Sequence, residues 1–147
     1  MIYNLGFNYE EYIYWFWCWI AAVAKKDEHH KETSKIIKWV NQQTEYKIVV
    51  TNLILAEVVN FLKRKKFFKL ANDIADIFIT NDKIELYFDD QTMSNISINL
   101  FKQIDRLSYV DASSVVFCRK LDCEYLISFD TDFDGIKNIT RIIQIPN

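Results

Sequence analysis

Two glycines, one proline and three cysteines are all this 147-residue chain has of the residues that punctuate or staple a fold. So little Gly and Pro excludes collagen-like, low-complexity and linker-rich organisation. Half of the residues are apolar, which excludes disorder and gives a chain of this length one domain, residues 1–147, with a real core. Cys18, Cys118 and Cys123 are odd in number and lack C-x-x-C spacing. That argues against a disulfide framework and a zinc site, and fits a reducing, cytoplasmic setting. The two histidines, His29 and His30, stand in a polar helix start where surface or capping roles are expected. No Ser/His/Asp or Cys/His arrangement competes for catalysis. A membrane span needs ~20 apolar residues, and the run Tyr12–Ala24 has only thirteen. No basic region or small-residue cleavage pattern marks a signal peptide. Strong charge is missing too: a net −2 gives no global positive field for nucleic acid.

Aromatic residues are abundant instead, and they crowd the first twenty positions. YIYWFWCWIAAVA reads as a buried strand running into a helix, with residues 1–17 unusually aromatic for a packed core. KKDEHHKETSKIIKWVNQQ has a helical period through Thr33, Ile36, Ile37 and Val40. Tyr46–Val50 is a β-branched strand, followed by Thr51 as N-cap and the helix LILAEVVNFLKRKK. The basic run Lys63–Lys66, with Lys69 close by, reads as the solvated end of that helix, favourable on dipole grounds. Phe67–Ile79 predicts a helix and Ile84–Phe88 a strand. Gln91–Ile104 predicts a helix whose apolar positions are Met93, Ile96, Leu100 and Ile104. A helix opening near Asp111, a strand Tyr125–Phe129 and a last strand Thr140–Ile145 complete the chain. Strands alternating with helices imply a three-layer α/β/α sandwich on a mainly parallel sheet.

The acids carry the chemistry. Glu57 interrupts an oily helix after one strand, Asp111 opens a helix, and Asp130 and Asp132 follow the strand YLISF. Open α/β sheets place their ligand crevices at the carboxyl ends of strands. Hard cations such as Mg²⁺ and Mn²⁺ take oxygen ligands, and held by carboxylates they can activate water against a phosphodiester. Two lookalikes fail. DTDFDG opens like an EF-hand loop, but its twelfth position is Arg141 instead of Glu and it follows a strand. DTD also matches the D-x-D of haloacid-dehalogenase-type phosphatases, where a full sheet follows; here fifteen residues remain.

Three stretches, TNLILAEVVNFL, LSYVDASSVVFCRKLDCEYLISFDTDF and KKDEHHKE, resemble in order and spacing the PIN-domain nucleases, especially the VapC-type toxins. The resemblance covers roughly residues 18 to 145. It implies a PIN-like fold and a Mg²⁺- or Mn²⁺-dependent ribonuclease, with an RNA substrate, a small inhibiting antitoxin and a homodimer. It also implies that Glu57, Asp111 and Asp130 are metal-site carboxylates, with Asp132 as an assisting or alternative member. Of the last two, Asp130 is expected to be the direct ligand. One element departs from the family pattern. The family's first strand ends in an aspartate; counting back from KKDEHH puts that position close to Trp15, and Glu10 and Glu11 are out of register. Either the front of the chain is read in a shifted frame, or this is a degenerate member that binds RNA or protein without cutting. A plain α/β domain whose acids are caps and surface charges is the third reading.

Overall fold

The computed structural model describes residues 11–15 as backbone, and residues 30–44 and 46–145 in full. Cys18, His29, Pro146 and the aromatic run beyond Trp15 lie outside the described residues.

Five strands, β1 (Glu11–Trp15), β2 (Tyr46–Thr51), β3 (Ile84–Tyr87), β4 (Tyr125–Ile127) and β5 (Arg141–Ile142), pair in parallel in the order β3-β2-β1-β4-β5. Glu11–Trp15, at the front of the chain, is therefore the middle strand of the sheet. Glu11 lies beside Tyr46 and Tyr14 beside Val49, while on the other side Trp15 lies beside Ile127. Five described helices connect the strands: α1 (His30–Gln42), α2 (Asn52–Arg64), α3 (Phe68–Thr80), α4 (Gln91–Gln103) and α5 (Tyr109–Lys120). The chain first steps outward from β1 to β2 and β3, then crosses back to β4. Right-handed crossovers put α1, α2 and α3 on one face and α4 and α5 on the other. The reversal of direction falls between β1 and β4, and such switch points open a crevice at the carboxyl ends of the strands.

The expected fold class is found, and several element edges move. β4 stops at Ile127 because Ser128, fully buried, turns its hydroxyl to accept the Asp130 N–H at 3.0 Å. β5 shrinks to two residues. On α4 the expected apolar face is rotated: Ile96 is 48% exposed while Ser97 is fully buried. The Ser97 hydroxyl donates to the Met93 carbonyl at 2.8 Å, so the serine enters the core with its polar group satisfied.

The scarcity of glycine leaves a mark on the helix ends. Both α2 and α5 finish in Schellman turns whose left-handed residue has a side chain, Lys66 (φ 63) and Asp122 (φ 51). In α5 the Cys123 N–H reaches the Cys118 carbonyl at 2.9 Å. The two cysteines thus occupy the pair of positions that usually makes this motif's apolar contact. The Cys118 sulfur beside it, then burial, push the Cys123 thiol well above its ordinary value, so that thiol acts as a neutral packing group. The core is continuous across the sheet, with Val49, Val50, Leu126, Ile127, Ile36, Ile54, Ile74, Phe78, Phe117 and Phe133 all buried.

Candidate functional site

The acids at the carboxyl edge are held by bonds that the chain supplies locally. Asp111 is not the cap of α5. Ser108 is, with its hydroxyl accepting the Asp111 N–H at 3.1 Å. The Asp111 carboxylate returns the bond by accepting the Ser108 N–H at 2.7 Å. This reciprocal capping box fixes Asp111 at the third position of the helix, where it is only 6% exposed. Replacing Ser108 by Ala should cost about 0.5–2 kcal/mol, as loss of an N-cap does. Urea unfolding tests this, and an unchanged midpoint would refute the assignment.

Asp130 and Asp132 sit in the loop after β4. The Asp130 carboxylate accepts the Asp132 N–H at 2.8 Å and caps a 3₁₀ turn, Thr131–Phe133, with Phe133 buried as its anchor. Arg106, exposed two residues before the α5 cap, donates to the Asp132 carbonyl at 2.8 Å and the Asp134 carbonyl at 3.0 Å. That clamp joins the loop carrying Asp130 to the start of α5. On the loop's far side, Arg141 grips Asp134 at 2.6 and 2.9 Å and the Ser128 carbonyl at 3.0 Å. The Arg141 partnership holds the Asp134 carboxyl below the usual range.

Electrostatics shows which acids share a space. The Asp111 carboxyl is raised above its ordinary value, first by burial and further by the charges of Asp130 and Asp132; its bonds with Ser108 oppose the shift. Asp130 and Asp132 therefore lie near enough for their charges to act on Asp111. Glu57 is half-buried in the second turn of α2, whose N-terminus stands at the same edge. It has an interaction of its own. The basic run Lys63–Lys66 lies at the other end of α2, at the opposite edge of the sheet.

A further carboxylate, with no motif around it, belongs to this edge. Asp89, just after β3, accepts from the Tyr109 hydroxyl at 2.8 Å and the Ser94 hydroxyl at 2.9 Å, and its N–H donates to the Asn52 side chain at 2.9 Å. It ties together the starts of α2, α4 and α5, the helices around the crevice. Burial is the main cause of the raised Tyr109 hydroxyl pKa. Only the position of Asp89 at a strand end could have flagged it. Arg106 carried no signal in the sequence.

Carboxylate oxygens gathered at one edge of the sheet suit a hard divalent cation. Among the described residues no three metal-ligand side chains converge closely enough to cage an ion. An ion such as Mg²⁺, which keeps several waters, would need only one or two of these carboxylates. At the end of β1 no acid is present: the strand reads EYIYW, and its sole carboxylate, Glu11, opens it.

A family model described as the PIN domain matches residues 18–139. The chain belongs to the PIN domain family. Solved structures share this PIN fold. One is VapC20 of Mycobacterium tuberculosis, a sarcin-ricin loop cleaving toxin, at TM-score 0.74 and 21% identity over 84% of this chain and 93% of that one. Another is VapBC2 of Rickettsia felis bound to a DNA fragment from its promoter, at TM-score 0.66 and 14% identity over 88% and 97%. A third, a toxin–antitoxin complex from Klebsiella pneumoniae, gives 0.61 and 14% over 87% and 95%. Among curated proteins none matches by sequence. No described helix of this PIN domain is long and apolar enough to cross a membrane.

Proposed function

We propose that this PIN domain is a metal-dependent endoribonuclease of toxin type, working at the edge formed by Asp111, Asp130 and Asp132. The observation that carries this reading is the buried Asp111 carboxyl, raised by burial and by two neighbouring acids at the switch point of the sheet. A protein that keeps carboxylates in mutual repulsion gives up stability that a bound cation returns. Asp111 with Asp130 or Asp132 would hold Mg²⁺ or Mn²⁺, and Glu57 would join from α2 as an outer member. The ion would supply charge neutralisation at the phosphodiester and an acidified water. The chain's own residues do the rest. Ser108 orients the Asp111 carboxylate, Ser128 and the Asp132 N–H orient Asp130, and Arg106 fixes the loop while offering a cation at the rim for the RNA backbone. A small antitoxin covering this edge, a homodimer and a cytoplasmic setting complete the reading by analogy with the fold relatives.

One observation favours a second reading, a PIN domain that binds RNA or protein without cutting: the carboxyl end of β1 has no acid. Incubating a labelled structured RNA with the protein and Mn²⁺ or Mg²⁺ tests both. Cleavage that EDTA abolishes supports the nuclease. RNA binding without cleavage supports the second reading, and cleavage indifferent to EDTA overturns the metal-dependent one.

A further inference from the structure

Beside the acidic edge, between the first turn of α1 and the carboxyl ends of β4 and β5, lies a cavity of about 250 Å³. It is lined by Glu32, Phe129, Thr131, Arg141, Ile143 and Gln144. Phe129 and Thr131 flank Asp130 in the chain, so the cavity opens one residue from the proposed reaction centre. Its volume falls just short of the ~300–1,000 Å³ of sites that enclose drug-sized ligands, which suits one nucleobase.

The walls have the character of a base-reading site. Phe129 supplies an aromatic surface and Ile143 an aliphatic one. Arg141 is held by Asp134 and the Ser128 carbonyl, so it acts as a fixed planar wall. Glu32, Thr131 and Gln144 bring a carboxylate, a hydroxyl and a carboxamide. The Glu32 carboxylate is bridged to Lys35 at 2.9 Å, with the two side chains 41% and 51% exposed. Such exposed pairs are worth little, so the carboxylate can exchange partners. Proteins that read single-stranded RNA splay out an unpaired base, stack it on aromatic or guanidinium planes and bond its Watson–Crick edge. A carboxylate can only accept, and guanine is the base whose Watson–Crick edge offers two adjacent N–H donors, leaving its O6 for a donor such as the Gln144 amide.

We propose that this cavity seats an unpaired guanine of the RNA substrate, next to the phosphate attacked at Asp130. The inference rests on the ribonuclease reading above and adds a base preference to it.

Fluorescence anisotropy on the Asp111→Asn protein tests the proposal, using labelled oligouridines that carry one central guanosine, one central adenosine or neither, at fixed salt. The guanosine oligomer should bind at least about fivefold more tightly than all-uridine RNA, the lower end of what one bidentate base contact gives. The adenosine oligomer should behave like oligouridine. Glu32→Gln and Phe129→Leu should bring the guanosine-to-uridine ratio close to one. Equal binding of all three oligomers, a preference for adenosine, or a guanosine preference that survives Glu32→Gln would each overturn the assignment while leaving the ribonuclease reading standing. Failure to bind any RNA would remove that reading and the base site with it.

Discussion

Replacing Asp111 by Asn is expected to slow RNA cleavage at least about 100-fold, the loss of a group that holds a catalytic ion. The same variant should melt at a higher temperature than the wild type in EDTA at pH 7, because it has no carboxylate charge to bury beside two other acids. The two effects share one cause. Asp111 is 6% exposed and faces the charges of Asp130 and Asp132, so its folded pKa stands above the ~3.9 of an unfolded aspartate. The folded state then binds the Asp111 proton more tightly than the unfolded chain does. That contribution to stability is fully present below the unfolded pKa and is lost as pH rises through the raised folded value. Asparagine carries no charge to bury, and its side-chain oxygen can still accept the Ser108 N–H. The melting advantage of the variant should therefore be largest near neutrality and shrink toward pH 4. Adding Mn²⁺ should reverse the order, because an ion that binds only the folded wild type raises its melting temperature by mass action. Differential scanning fluorimetry across pH 4–8, with and without Mn²⁺, reads all of this. A variant less stable than wild type at pH 7, or an advantage that grows in acid, would show that Asp111 is a structural cap and nothing more.

Much of this site could be read from residue order, because its parts are local. A strand followed by acids needs only an apolar run and the residues after it, and Asp130 and Asp132 do follow β4. Asp111 stands in the first turn of its helix, as its place before an apolar run suggests, but at N3 and not at the cap. The capping residue is Ser108, and Asp111 completes the box from three positions on, a pattern that S-x-x-D displays openly in LSYVDA. On α4 the apolar spacing points to Ile96, whereas Ser97 is the buried residue. Ser97 fits and bonds its own helix, and Ile96 does not face the core. What stayed hidden is long-range. Arg106 meets the Asp132 carbonyl across 26 residues and Asp89 meets Tyr109 across 20, and no local pattern announces such pairs. The middle position of β1 was equally hidden, since an aromatic strand at the front of a chain says nothing of its neighbours until the order β3-β2-β1-β4-β5 is known.

That sheet order gives the missing acid a definite address, and from it follows the sharpest test of whether this chain cuts. Trp15 ends β1 beside Ile127, three residues before Asp130, on the edge proposed to hold the ion. Glu11 cannot stand in for an acid there. Four residues of strand at ~3.3 Å each place it about 13 Å away, at the far edge. Trp15→Asp should therefore raise Mn²⁺-dependent RNA cleavage at least about tenfold over Trp15→Asn. Second-shell partners alone are worth about 10–100-fold in metal affinity or activity, and a direct ligand should matter no less. The asparagine variant loses the same indole and differs only in charge, so any cost of removing Trp from the sheet cancels in the comparison. Calorimetric titration with Mn²⁺ supplies a readout independent of turnover: the aspartate variant should bind the ion more tightly than the asparagine one. Equal cleavage and equal Mn²⁺ affinity in the pair would mean that a carboxylate at this strand end adds nothing, and that the acids at this edge serve a domain that binds its partner without cutting it.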